Sequence, residues 1–289
     1  MTIGATLQKI RKNLHFTQQE LSQGIMSQGA YSKIEQSQLQ INAEQLLALL
    51  SKMNIHLNEF SFVMNHYQAD DKQKILRNFI AFEIGDISLL QAHLHQIEHY
   101  LSTEADPFVE SLRQIYQAFL VLLQEQNIQK AREIIWPIWE NMQRLDHWYI
   151  HHLEVLNAIL FLFPLDVAQE ITNTALKRLA NYDHYEQDFT YLKIYFRMDL
   201  SVLYIEHQQF EECLHLLESL ETEYIQKMRY QSLALLFERK AICYYFLQKP
   251  YEAELAKMKQ LLTIYQDERT SDLLLMEFKL LTKNEAVDC

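Results

Sequence analysis

Four glycines and four prolines in 289 residues leave this chain little material for anything but helices. Glycine supplies positive φ at tight turns and proline presets turn dihedrals, and sandwiches, barrels and phosphate-cradling loops need both in quantity. An all-α fold is therefore expected. The chain is 49% apolar and 12% aromatic and long enough for two domains, so a sizeable core is available. Its strictly apolar runs, such as Ala158 to Phe163, are far short of the roughly 20 residues that cross a bilayer, and no membrane span is expected. Cys213, Cys243 and Cys289 form an odd set without metal-ligand spacing or a preceding signal peptide. A cytoplasmic location follows as an expectation.

Residues 1–65 read as five short helices. Leu7, Ile10 and Leu14 recur at helical spacing in the first. Thr17-Gln18-Gln19-Glu20 has the capping-box pattern, which starts a second helix near Gln18. After a break at Gly24 to Met26, Ser27 is a good N-cap for a third helix over Gln28–Glu35. Asn42 caps a fourth and Asn58 a fifth that runs to about Met64. This is the layout of a helix-turn-helix domain over 1–65.

Beyond about Asp70 the helices lengthen and a repeat emerges. At Asp86-Ile87, Asn127-Ile128, Pro164-Leu165, Gln209-Phe210 and Pro250-Tyr251 a breaker or polar residue precedes one large apolar residue and a fresh helix. The intervals lie near 40 residues. Three units share more, with an apolar residue before the break and a small one after it: Leu123 to Ala131, Ile205 to Cys213, and Phe246 to Glu254, where the glutamate breaks the rule. Two helices per unit at that period point to an α-solenoid over 66–289, with an irregular helical bundle as the alternative.

The net charge of −12 disfavours nucleic acid, but it is unevenly spread. Residues 1–65 carry Lys9, Arg11, Lys12, Lys33 and Lys52 against Glu20, Glu35, Glu44 and Glu59, so the acid resides almost wholly in the remainder. A near-neutral head can approach phosphates that repel the acidic body.

In a helix-turn-helix unit the second helix of the motif enters the major groove with its N-terminal residues foremost. Gln28 suits bidentate bonding to adenine, and Gly29 and Ala30 permit close approach. Tyr31 is expected at a base or phosphate, Ser32, Lys33 and Gln18 at phosphates, and Arg11 on an extension of that track.

The stretch Thr17-Gln18-Gln19-Glu20-Leu21, then Ser27, then Tyr31-Ser32-Lys33-Ile34-Glu35, resembles the Xre/Cro-type helix-turn-helix. The turn is a residue shorter than usual, and Gln36-Ser37 replaces the usual glycine. Both departures are milder against the Rgg/GadR/MutR regulators, which the whole chain resembles in length, in the segment Asn54 to Phe60 and, loosely, across Ile159 to Leu179. That resemblance implies a lambda-repressor-like head, a TPR-like helical-repeat body, and a homodimer on an inverted-repeat promoter site in double-stranded DNA. It also implies control by a short hydrophobic signalling peptide held on the concave face of the repeats.

Curved helical arrays suit extended ligands, and Tyr116, Phe119, Tyr149, Tyr191, Tyr195 and Tyr245 could floor such a face or simply form core. Asn157, set in an apolar run, needs a partner, either a ligand backbone or a neighbouring helix. Arg197 could pair a ligand carboxylate or an acidic helix. His95 with His99 and His147 with His151 are spaced i,i+4, with His93 and His152 nearby, but no third ligand is evident and no metal is expected. No nucleophile motif, P-loop or glycine-rich nucleotide turn occurs, so neither an enzyme nor a bound cofactor is expected. The competing reading is an adaptor that holds a protein partner and reads no DNA.

Overall fold

The computed structural model describes residues 1–81 and 85–283, and every regular element among them is helical. Cys289 lies outside the described residues. Chain contacts divide these residues into two units, 1–81 with 95–105 and 85–94 with 106–283.

The first unit opens with α1 (Ile3–Asn13), α2 (Gln18–Ser22), α3 (Gln28–Glu35), α4 (Ala43–Lys52) and α5 (Leu57–Met64), followed by α6 (Asp71–Ile80). Its starts are chemically marked. Thr17 and Glu20 close a reciprocal capping box on α2, and Ser27 and Asn42 accept from the backbone of α3 and α4. The fifth helix departs from expectation: it begins at Leu57 after His56, which places Asn58 inside it instead of at its cap. Leu7, Leu21, Tyr31, Ile34, Leu49 and Phe60 form the core. Helices α1 and α3 cross so closely at Gly4 that a Cβ there would lie 1.9 Å from the carbonyl oxygen of Ile34, which only glycine tolerates.

The second unit takes its first residues from α7 (Ile87–Leu101) and continues through α8 (Pro107–Glu125), α9 (Ile128–Gln143), α10 (Ile150–Ala158), α11 (Leu165–Leu179), α12 (Thr190–Glu206), α13 (Phe210–Tyr224), α14 (Tyr230–Phe246), α15 (Glu252–Ile264) and α16 (Glu268–Lys283). The five sequence breaks fall at the starts of α7, α9, α11, α13 and α15, four at the apolar residue itself and the last one residue later. Glycine is absent from the ends of α8, α12, α14 and α15, so Gln126, Gln208, Gln248 and Gln266 adopt the left-handed conformation that stops each helix. Rings then lock units together: Phe210 stacks on Phe246 at 4.3 Å and Tyr230 on Tyr265 at 4.0 Å. At the position where Ala131 and Cys213 are fully buried, Glu254 is buried too and bonds Lys257 at 2.7 Å.

Helices α8 and α9, α12 and α13, and α14 and α15 pack as antiparallel neighbours. In addition α10 touches α12, α12 touches α14 and α14 touches α16, while α9, α11, α13 and α15 make no successive contacts of that extent. A two-layer array curves toward its more closely packed layer, here α10, α12, α14 and α16. Centrally placed α14 is buried on all sides, with Glu238, Arg239 and Lys240 among its buried residues.

Candidate functional site

The geometry of the head is set by one carboxylate. Glu35, at the end of α3, receives Arg11 Nε at 2.6 Å and Nη2 at 3.0 Å from α1, and Gln18 Nε2 at 2.8 Å from the start of α2. Arg11 spends its remaining reach on the carbonyl oxygen of Phe16, at 2.7 Å. Burial pushes the Glu35 carboxyl up, but the bonds from Arg11 and Gln18 outweigh it and hold the group below the usual carboxylate range. Three helices thus share one buried ion pair, and Lys52 Nζ fastens α4 to the end of α2 through the carbonyl oxygen of Gln23 at 2.5 Å.

This clamp sorts the expected DNA-contacting residues. Gln28, Gly29 and Lys33 are exposed, and Ala30 and Ser32 are half-buried on the same short helix. An added Cβ at Gly29 would meet nothing within 4 Å, so packing does not require glycine there. Tyr31 is a correction: its ring is fully buried, on the helix face shared with Ile34 and Glu35, and reaches neither base nor phosphate. Arg11 is a second, because its guanidinium is committed to Glu35 and Phe16. Gln18 is half-buried with its amide on Glu35. Sequence reasoning missed Glu35 as an organiser, although an acidic residue in phase with Tyr31 and Ile34 on an amphipathic helix was a visible sign of burial.

In the second unit the expected ligand residues separate. Tyr116 and Phe119 point into the core of α8, Tyr116 with its hydroxyl 3.3 Å from His93 Nδ1 and Phe119 stacked on Phe161 at 6.2 Å, so neither offers a free face. Tyr149 is 62% exposed at the start of α10. Arg197 pairs Glu223 of α13 at 2.9 Å and lies over the Tyr224 ring, the acidic-helix alternative. Tyr245 donates to the carbonyl oxygen of Thr282 at 3.2 Å.

Asn157 joins a polar seam between α10 and α12, and Tyr195 lies one turn before its partner Asp199 on α12. His151, Glu154 and Asn157 recur at helical spacing on α10 and face Tyr191, Tyr195 and Asp199 on α12. Glu154 takes His151 Nδ1 at 2.7 Å and the Tyr191 hydroxyl at 2.8 Å, while Asn157 Nδ2 donates to Asp199 Oδ2 at 2.7 Å. Burial pushes the Asp199 carboxyl up to about 6, against the pull of Arg239 and Asn157. Asp199 was not among the expected residues, since a lone aspartate beside Arg197 in sequence reads as an ordinary surface charge. No described trio of His, Cys, Asp or Glu side chains converges as a metal site, and no described helix is long and apolar enough to cross a membrane.

A helix-turn-helix module with the start of its second helix open, joined in one chain to stacked helix pairs, defines the class. Residues 7–60 match the helix-turn-helix family model and constitute such a domain. No curated protein sequence matches the chain. Its fold is similar to that of PlcR from Bacillus thuringiensis, solved in complex with the peptide PapR7 and DNA, at 17% identity over 94% of this chain and 98% of that one, TM-score 0.69. It is similar to the SHP pheromone receptor Rgg2 of Streptococcus dysgalactiae at 15% identity over 96% and 97%, TM-score 0.65. ComR from S. thermophilus, solved with DNA and its signalling peptide ComS, matches at 14% identity over 97% and 99%, TM-score 0.62. The fold implied by the resemblance to Rgg regulators, a helix-turn-helix head with a helical-repeat body, is the fold found.

Proposed function

We propose that this protein is a cytoplasmic transcriptional regulator, without enzymatic activity, that binds promoter DNA through the start of α3 and answers to a short hydrophobic peptide held on the layer of α10, α12, α14 and α16. One observation carries the reading: Gln28, Gly29 and Lys33 stand exposed on a helix whose orientation is fixed by the buried Arg11–Glu35 pair. An exposed start on a rigidly held short helix is what major-groove entry requires, with Gln28 at a base edge, Gly29 and Ala30 allowing close approach, and Lys33, Ser32 and the backbone N–H of Gln18 along the phosphates. Residues 1–65 serve as the reading head, and 66–289 as the ligand-binding and dimerising body. Solved proteins of this fold hold DNA and signalling peptides, which supports both halves of the assignment.

A homodimer presents two heads related by a two-fold axis, so its site is an inverted repeat with half-site centres about one helical turn, roughly 10 base pairs, or a multiple of it apart. Selection of bound duplexes from a random pool by the full-length protein tests this. Enrichment of a two-fold symmetric motif is expected. Recovery of no motif would remove the DNA-reading assignment and favour an adaptor.

A further inference from the structure

The two carboxylates on the seam of α10 and α12 are treated differently. Glu154 is fully used, each oxygen holding a protein partner, His151 on one and Tyr191 on the other. Asp199 accepts a single bond, from Asn157 Nδ2 to its Oδ2, and among the described residues its Oδ1 meets no donor. The neighbouring cation does not fill the gap. Arg239 donates through Nη1 to the carbonyl oxygen of Met198 and to the Ser201 hydroxyl at 2.8 Å, so its charge is felt at Asp199 without a hydrogen bond. The Asn157 amide oxygen, next to that carboxylate, likewise has no donor among the described residues.

The seam therefore presents two open acceptors and a half-buried carboxylate on the closely packed layer, with Tyr195 one turn and Tyr191 two turns before Asp199 on α12, their rings edge to face at 5.9 Å from each other. A half-buried carboxylate with one open oxygen gains most from a donor that also carries positive charge. A ligand amide N–H would supply a bond but leave the charge unbalanced. An ammonium or guanidinium supplies both.

We propose that Asp199, with Asn157 beside it, receives a cationic group of the bound peptide, either its N-terminal ammonium or the head of a lysine or arginine side chain. This rests on the peptide-binding reading and adds a charge requirement to it. Asp199 becomes a specificity-determining residue that separates an otherwise hydrophobic peptide with a free amine from one whose amine is blocked.

The test offers the full-length protein three synthetic octapeptide mixtures built from Leu, Ile, Val, Phe, Ala and Gly. One has a free N-terminus, one is N-acetylated, and one is N-acetylated with a single lysine at varied positions. Mass spectrometry quantifies what is retained. At least one cationic mixture should be retained about tenfold or more over the acetylated, lysine-free one, and which of the two wins identifies the source of the charge. Asp199→Asn should abolish that preference and Asp199→Glu should keep part of it, with thermal unfolding checking that both variants fold. Equal retention of all three mixtures by the natural protein would overturn the charge requirement and leave peptide binding standing. Retention of none would overturn peptide binding and this inference with it. The comparison of mixtures on the unaltered protein decides the matter even if a variant fails to fold.

Discussion

The two units differ in how completely their buried carboxyls are satisfied. In the head, Glu35 receives three hydrogen bonds from two neighbouring helices, two from Arg11 and one from Gln18. In the repeat unit Glu154 is closed in the same way, but other carboxyls are not. Both carboxylate oxygens of Glu238 and one of Glu254 are enclosed with no hydrogen-bond partner, and Asp199 keeps an oxygen open on the α10–α12 seam. Burial, reinforced by the charge of Glu277, pushes the Glu238 carboxyl well above the usual carboxylate range. A satisfied network fixes one arrangement, whereas an unsatisfied one leaves free energy to be gained by binding or rearrangement. The contrast suits a rigid reading head and a responsive body.

The largest expected effect comes from Gly4→Ala. Its Cβ would collide with the backbone oxygen of Ile34, and no flexible side chain can move aside, so α1 and α3 must separate and with them the Arg11–Glu35 pair. Circular dichroism should show the head unfolded or strongly destabilised while the repeat unit still melts cooperatively. A head as stable as the parent would break the claim that this crossing is over-determined.

Next is Arg11→Met, which strands Glu35 in the core at a cost of about 3–5 kcal/mol, measured by denaturant titration. The pH dependence sharpens it. Because the folded-state pKa of Glu35 is depressed, its contribution to stability is present above the unfolded carboxylate pKa of roughly 4.3 and is lost as pH falls through the lower folded value. In Arg11→Met only the Gln18 bond remains to oppose the rise that burial causes, so that contribution should shrink and the head should lose less stability on acidification than the parent does.

How far the sequence reveals this contrast depends on whether a partner is near or far along the chain. The helix starts at Thr17, Ser27 and Asn42 were readable because a cap bonds three residues ahead, and the breaks before Ile128, Leu165 and Phe210 because each repeats the same local chemistry. Tyr31 was misjudged because its position near the motif's contact residues outweighed its phase with Ile34, and phase decides burial. Arg11 finds Glu35 across 24 residues and Asn157 finds Asp199 across 42, and no local pattern announces such pairs. Asn157 was rightly singled out as an amide needing a partner, but its partner could not be named.

Smaller effects probe the repeat unit. Glu238→Leu removes a buried, unpartnered acid and should raise stability by about 1–2 kcal/mol near neutral pH. A raised folded pKa means the parent loses stability as pH rises from the unfolded carboxylate value of roughly 4.3 toward the folded one, so the variant should also lose that pH dependence. Destabilisation at all pH values would mean that Glu238 holds a partner after all. Smallest is Gln208→Gly, which relieves a left-handed non-glycine residue and should add roughly 0.5–1 kcal/mol by denaturant unfolding. No gain there would show that the glutamine side chain compensates its backbone.

The central claim is that a rigidly clamped α3 reads DNA through its exposed start, and fluorescence anisotropy tests it most directly. Full-length protein is titrated onto a selected duplex and an unrelated one of equal length across a series of salt concentrations, with Gln28→Ala and Lys33→Ala in parallel. The account predicts affinity that falls steeply with salt, loss of the preference for the selected duplex in Gln28→Ala with an unchanged salt slope, and weaker binding to both duplexes with a slope shallower by about 1 in Lys33→Ala. Equal, salt-insensitive binding to both duplexes, or the same loss from both substitutions, would contradict it.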